Sequence, residues 1–157
     1  MQHVEVERFF PHPVEQVFRR YTDHVGWSEW AGLGKVRLTR EGSPDKNGVG
    51  AVRAFSTALG LREQVTRFEP PLGVAAGEPH APSASSAARM EYRICQGALP
   101  LADHNGEVLF TPQGSGTRMN WRVSFRCPIP GLGWPIERGL GVLFRRILAR
   151  LARDLAR

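Results

Sequence analysis

The stretch from Ile136 to Arg157, IERGLGVLFRRILARLARDLAR, constrains the fold of this chain more than any other. At about 100° per residue, Ile136, Leu140, Leu143, Phe144, Ile147, Leu148, Leu151 and Leu155 fall within an arc of roughly 140°. Arg138, Arg145, Arg146, Arg150, Arg153 and Arg157 fill a second arc of roughly 140°, centred well away from the first. Only Glu137 and Asp154 intrude on the apolar stripe, each near one of its ends. Such a helix is not stable alone in water, because its stripe needs a partner surface. The rest of the chain must supply that surface.

What precedes it reads mostly as strands. HVEVERFF, residues 3–10, alternates apolar and polar and is stopped by Pro11 and Pro13. Val14, Val17, Phe18 and Tyr21 recur at helical spacing up to Asp23, and a second short helix sets Trp27 and Trp30 one turn apart. Strands are then expected at 35–40, at 48–57 (GVGAVRAFST), at 61–69, at 89–96, at 107–111 and at 117–127. Residues 97–106 are read as a loop. Residues 72–88, rich in Pro, Ala, Ser and Gly without periodicity, are read as a mobile loop inserted between the fourth and fifth strands. The whole chain, 1–157, is expected to form one domain of the α+β class. Its seven-stranded antiparallel sheet has one apolar face to cover, and the long helix is what covers it.

Alternation assigns the faces. Met119, Trp121, Val123 and Phe125 share one face of the last strand; Met90, Tyr92 and Ile94, then Val108 and Phe110, share the inner face of the two before it. Val49, Ala51, Arg53 and Phe55 fall together, as do Leu61, Glu63 and Val65. Two charges, Arg53 and Glu63, are thus placed on apolar faces of adjacent strands, about equally far from the turn between them. An unpaired buried charge costs several kcal/mol, so the two are expected to pair, with each other or through water. The pair is either a structural ion pair or a polar anchor inside a ligand cavity.

Composition narrows the function classes. The net charge of +6 is concentrated on the last helix, where six arginines against two acids give +4. Its stripe is needed by the sheet, which argues against burying it in lipid, and its basic face lacks the interleaved aromatics that nucleic-acid binders tend to have. Nucleic acid and stable membrane insertion are therefore not expected, and no apolar run reaches the ~18 residues of a membrane span. Arginine outnumbers lysine 19 to 2, which we attribute to a bacterial GC-rich coding bias. The alternating, acid-bearing N-terminus is unlike a signal peptide, so a cytoplasmic location is expected. Cys95 and Cys127, without CxxC spacing, are read as reduced buried thiols. The five histidines, at positions 3, 12, 24, 80 and 104, lack metal-ligand spacing, so no metal or cofactor is expected. GSPDKNGVG lacks the GK[ST] ending of a phosphate loop and reads as a hairpin turn. His104, at the end of the sheet where a cavity would open, is a candidate acid or base, with a solvated loop histidine as the plainer reading.

EPP at 69–71, MEYR at 90–93 and NGEVLFTPQGSGTRMNW at 105–121, with GVGAVR upstream and the helical close, resemble the SRPBCC superfamily, and within it the bacterial polyketide cyclase/dehydrase-type branch. The resemblance implies a START-like helix-grip fold, an antiparallel sheet wrapped round a long C-terminal helix and enclosing an apolar cavity. It is shared by START lipid-transfer domains, plant pathogenesis-related proteins and aromatase/cyclases. Arg53, Glu63, Tyr92 and Trp121 match the recurring pattern, whereas the 72–88 segment departs from it. The function expected is binding, or transport, of a hydrophobic small molecule such as a lipid or polyketide-like aromatic. The chain would act as a monomer or homodimer. Arg53, Phe55, Glu63, Val65, Tyr92, Ile94, Val108, Phe110, Trp121, Phe144 and Ile147 would line the cavity. The alternative is an aldol-type cyclase/dehydrase, with Arg53 polarising a carbonyl and Glu63 or His104 moving protons.

Overall fold

The computed structural model describes residues 1–57, 59–72 and 86–157. Among them, β1 (Gln2–Phe10) is followed by α1 (Val14–Thr22), α2 (Trp27–Trp30), β2 (Val36–Arg40), β3 (Val52–Phe55) and β4 (Arg62–Glu69). β5 (Ala88–Gln96), β6 (Ala102–Gln113), β7 (Gly116–Arg126) and α3 (Gly133–Leu155) complete the order. The strands form one seven-stranded antiparallel sheet in the order β1-β7-β6-β5-β4-β3-β2. From β2 to β7 each strand pairs with its sequence neighbour, and β1 pairs with β7 from Gln2↔Phe125 to Phe10↔Thr117. Residues 73–85, most of the segment read as a mobile loop, lie outside the described residues.

The sheet grips α3. Phe144, Ile147, Leu148 and Leu151 of its stripe are buried, each contributing about 1.5–3 kcal/mol. Ile136, Leu140, Leu143 and Leu155 pack more loosely against the same core. Phe144 stacks on Trp121 of β7 with ring centroids 4.0 Å apart and planes 13° from parallel. The two acids that interrupt the stripe both have partners. Glu137 Oε2 accepts the backbone N–H of His3 at 3.3 Å, and Asp154 Oδ2 accepts from Arg20 Nε at 2.7 Å. The arginine face is exposed to solvent. α1 buries Val14, Val17, Phe18 and Tyr21, and Phe18 and Tyr21 meet Phe110 edge-on at 5.2 and 5.7 Å. Trp27 and Trp30 are both buried and touch each other, their centroids 5.0 Å apart.

Three sequence expectations are corrected. β3 starts at Val52 instead of 48, because the turn preceding it runs further; Val49, expected inside, is 47% exposed. β6 starts at Ala102, so His104 lies on a strand and not in a loop. Cys95, read as buried, is exposed, and Cys127 is half-buried.

Candidate ligand-binding site

Strand register brings the polar residues into one row. Arg53 of β3 faces Glu63 of β4, and Glu63 faces Ile94 of β5. Next in line, the Ile94 N–H donates to His104 Nδ1 at 3.1 Å. Directly opposed residues lie about 4.5–5.5 Å apart, so these side chains are immediate neighbours across four strands. The next row is Val65, Tyr92 and Gly106, and the one after it Met90, Val108 and Trp121. This is the end of the sheet where the turns after β3 and β5 meet, the Leu59 carbonyl accepting the Ala98 N–H at 2.9 Å.

Arg53 is enclosed. It is 1% exposed, with its guanidinium carbon 4.6 Å from the Trp27 ring centre, 5.1 Å from Tyr92 and 5.5 Å from Phe55. Nε and Nη2 both donate to Glu63 Oε2, at 2.7 and 2.6 Å. Burial alone would disfavour the cation; the facing Glu63 carboxylate, with Tyr21 and Tyr92 nearby, outweighs it and holds the Arg53 pKa above its ordinary value. Glu63 is the accessible member, at 8% exposure, and its Oε1 makes no hydrogen bond among the described residues.

His24, in the turn between α1 and α2, is a site residue that spacing arguments did not find. It is fully buried; Nε2 donates to the Asn47 carbonyl at 2.9 Å, and Nδ1 accepts from Arg53 Nη1 at 3.3 Å. Burial first, and the Arg53 charge second, push its pKa down to about 3, so the ring is neutral at physiological pH. Beside it, Trp27 Nε1 donates to the Tyr21 carbonyl at 2.7 Å. The Tyr21 hydroxyl is buried and has no partner among the described residues.

Tyr92 owes its position to a glycine. A Cβ on Gly106 would lie 2.3 Å from Tyr92 Cζ, so only glycine lets the ring lie across the β6 backbone. From there the Tyr92 hydroxyl accepts from Trp121 Nε1 at 2.8 Å. His104 is turned inward next to Tyr92, ring centroids 5.7 Å apart. A register shift between Ala102 and Asn105, with Asp103 at φ 52, reorients this part of β6. Because Nδ1 accepts the Ile94 N–H, the neutral ring carries its proton on Nε2; burial lowers its pKa, with Glu63 opposing.

Of the residues expected to line a cavity, Arg53, Phe55, Glu63, Tyr92 and Ile94 cluster with His104 at the polar row. Val65 and Trp121 lie in the rows that follow, with Phe144 stacked on Trp121; these and Ile147 are buried. Val108 is one row beyond Tyr92, and Phe110 is two rows beyond it, in the part of the core that α1 covers. Leu61, Ile94 and His104, at the polar row, are half-buried, whereas Met90, Phe110 and Met119 at the far end are fully buried. A separate open groove of ≈ 410 Å³ lies between β1 and α3, lined by His3, Glu5, Glu137, Arg138 and Arg145 among others; its mixed charges suit no apolar ligand. Among the described residues no group of three or more His, Cys, Asp or Glu is arranged to hold a metal ion.

The comparisons agree with this architecture. Residues 82–156 match the family model described as polyketide cyclase / dehydrase and lipid transport. A START superfamily protein from Mycobacterium smegmatis superposes with a TM-score of 0.69 at 10% identity, over 98% of this chain and 97% of that one. A protein from Nitrosospira multiformis gives 0.67 at 18% identity, over 97% and 94%. The protein XoxI from Bacillus cereus gives 0.66 at 14%, over 98% and 95%. At these identities the likeness to solved structures is one of fold. No curated protein sequence matches the chain. The chain has the START-like helix-grip fold, and the family match over residues 82–156 together with that architecture supports membership of the SRPBCC superfamily.

Proposed function

We propose that the chain binds a hydrophobic small molecule, such as a lipid or polyketide-like aromatic, between α3 and the concave face of the sheet, with the polar end of the ligand at the row Glu63–Ile94–His104. The family description, which joins cyclase/dehydrase chemistry to lipid transport, supports hydrophobic-ligand binding in general. The observation that carries the reading is the placement of the open polar atoms. In an otherwise apolar interior, unused hydrogen-bonding capacity sits where burial is incomplete.

The cyclase/dehydrase alternative needs an accessible base and an accessible electrophilic group. Arg53 is walled off by Trp27, Tyr92 and Phe55, and His24 is locked between Asn47 and Arg53. The His104 Nδ1 lone pair is taken by the Ile94 N–H, which leaves its neutral ring the Nε2–H donor alone. Only Glu63 remains as a proton acceptor, which favours binding over catalysis. Native mass spectrometry of the purified protein tests the proposal. An apolar molecule that co-purifies, and is held more weakly by Glu63→Gln, supports it. A chain that carries nothing and takes up no lipid or aromatic ketone contradicts it. Turnover of a poly-β-ketone by the wild-type protein, abolished by Glu63→Gln, would establish the alternative.

A further inference from the structure

We infer that the ligand is a neutral hydroxy compound, an alcohol or phenol on an apolar body, and not a carboxylic acid or phosphate; this rests on the binding site proposed above. Arginine in a lipid cavity ordinarily reads as an anion receptor, but here that role is already filled. Both Arg53 Nε and Nη2 close on a single oxygen, Glu63 Oε2, and a third N–H goes to His24 Nδ1. Three aromatic rings cover the guanidinium, leaving it 1% exposed. An entering molecule therefore reaches Glu63 first, at the atom Arg53 leaves unused.

Glu63 Oε1 is an acceptor only. It rewards a ligand O–H and repels a ligand anion in a poorly solvated site. The next polar group along the row, beyond Ile94, is His104, whose Nδ1 is taken by the Ile94 N–H and whose Nε2–H is a donor. One acceptor followed by one donor suits a hydroxyl, with a further carbonyl or ether oxygen served by His104. Neither group compensates a second negative charge, since the single cation in the row is already paired with Glu63.

Isothermal titration calorimetry on the full chain at neutral pH, with decanol, decyl methyl ether and decanoate, tests this on one apolar body. Hydrogen bonds to a charged acceptor are among the stronger ones, so decanol should bind at least about tenfold tighter than the ether, which lacks the donor, and tighter still than decanoate. In Glu63→Gln the preference over decanoate should shrink to within about threefold; the ether comparison on the wild-type protein stands even if that variant does not fold. Ether binding equal to alcohol, or decanoate binding as tightly as decanol, overturns the inference and leaves hydrophobic-ligand binding intact. Failure of all three to bind overturns the binding site itself.

Discussion

Replacing Gly106 with alanine should damage the site through one defined contact. The new Cβ would sit 2.3 Å from Tyr92 Cζ and 2.4 Å from Cε1, against an ordinary carbon–carbon separation of about 3.5–4.0 Å. The ring must lift by more than an ångström, which pulls the Tyr92 hydroxyl off Trp121 Nε1, now 2.8 Å away and buried. Overpacking of a filled core costs about 1–3 kcal/mol. Stranding a buried donor adds about 1–3 kcal/mol. Alanine's advantage over glycine inside a regular element returns about 0.5–1 kcal/mol. The net loss should be about 2–4 kcal/mol, measured by urea unfolding followed through tryptophan fluorescence and far-UV circular dichroism. The same substitution in a Tyr92→Leu background should cost almost nothing, since the clashing ring is gone. A loss below about 0.5 kcal/mol in the native background, or an equal loss in both backgrounds, would refute the claim that Gly106 exists to seat Tyr92.

Two further outcomes follow from the buried charges. Arg53→Met should cost about 3–5 kcal/mol, because it leaves Glu63 unpaired in a largely apolar site; a calorimetric melting point within a few degrees of wild type would contradict the ion-pair assignment. Acid should weaken the fold through His24. Its folded pKa of about 3 lies below the ordinary histidine value, so the unfolded chain binds the proton more readily. The stabilisation is complete above an unfolded pKa of about 6.5 and is lost as pH falls toward 3, at up to about 1.4 kcal/mol per pH unit, with His104 acting in the same direction. Unfolding titrations between pH 6.5 and 5, above most carboxylate titration, should show this slope, and His24→Gln should flatten it; an unchanged slope would remove His24 from the account.

How much of this was legible in the sequence depended on regularity. The 3.6-residue period of α3 and the two-residue period of the strands gave the grip. They also placed Arg53 and Glu63 as charges in the wrong phase of an apolar face, and the two do pair. His24 was hidden because a turn has no period, and its two partners, Asn47 and Arg53, are 23 and 29 residues away in the chain. ADHNG read as a loop because Asp, Asn and Gly are turn residues. In the fold Asp103 takes its positive φ within a bulged strand, and Gly106 is chosen for what lies over it. Arg53 was expected to meet the ligand; the aromatic box around it comes from α2, β3 and β5 together, and no local pattern announces such convergence.

The most direct test of the central claim is to map ligand contact by amide and indole chemical-shift changes on adding decanol. Binding at the polar row predicts the largest changes at Glu63, Ile94, His104 and the Trp121 indole, with β1 and the outer face of α3 unmoved. Changes confined to the groove around His3, Glu137 and Arg145, or none at saturation, would contradict it.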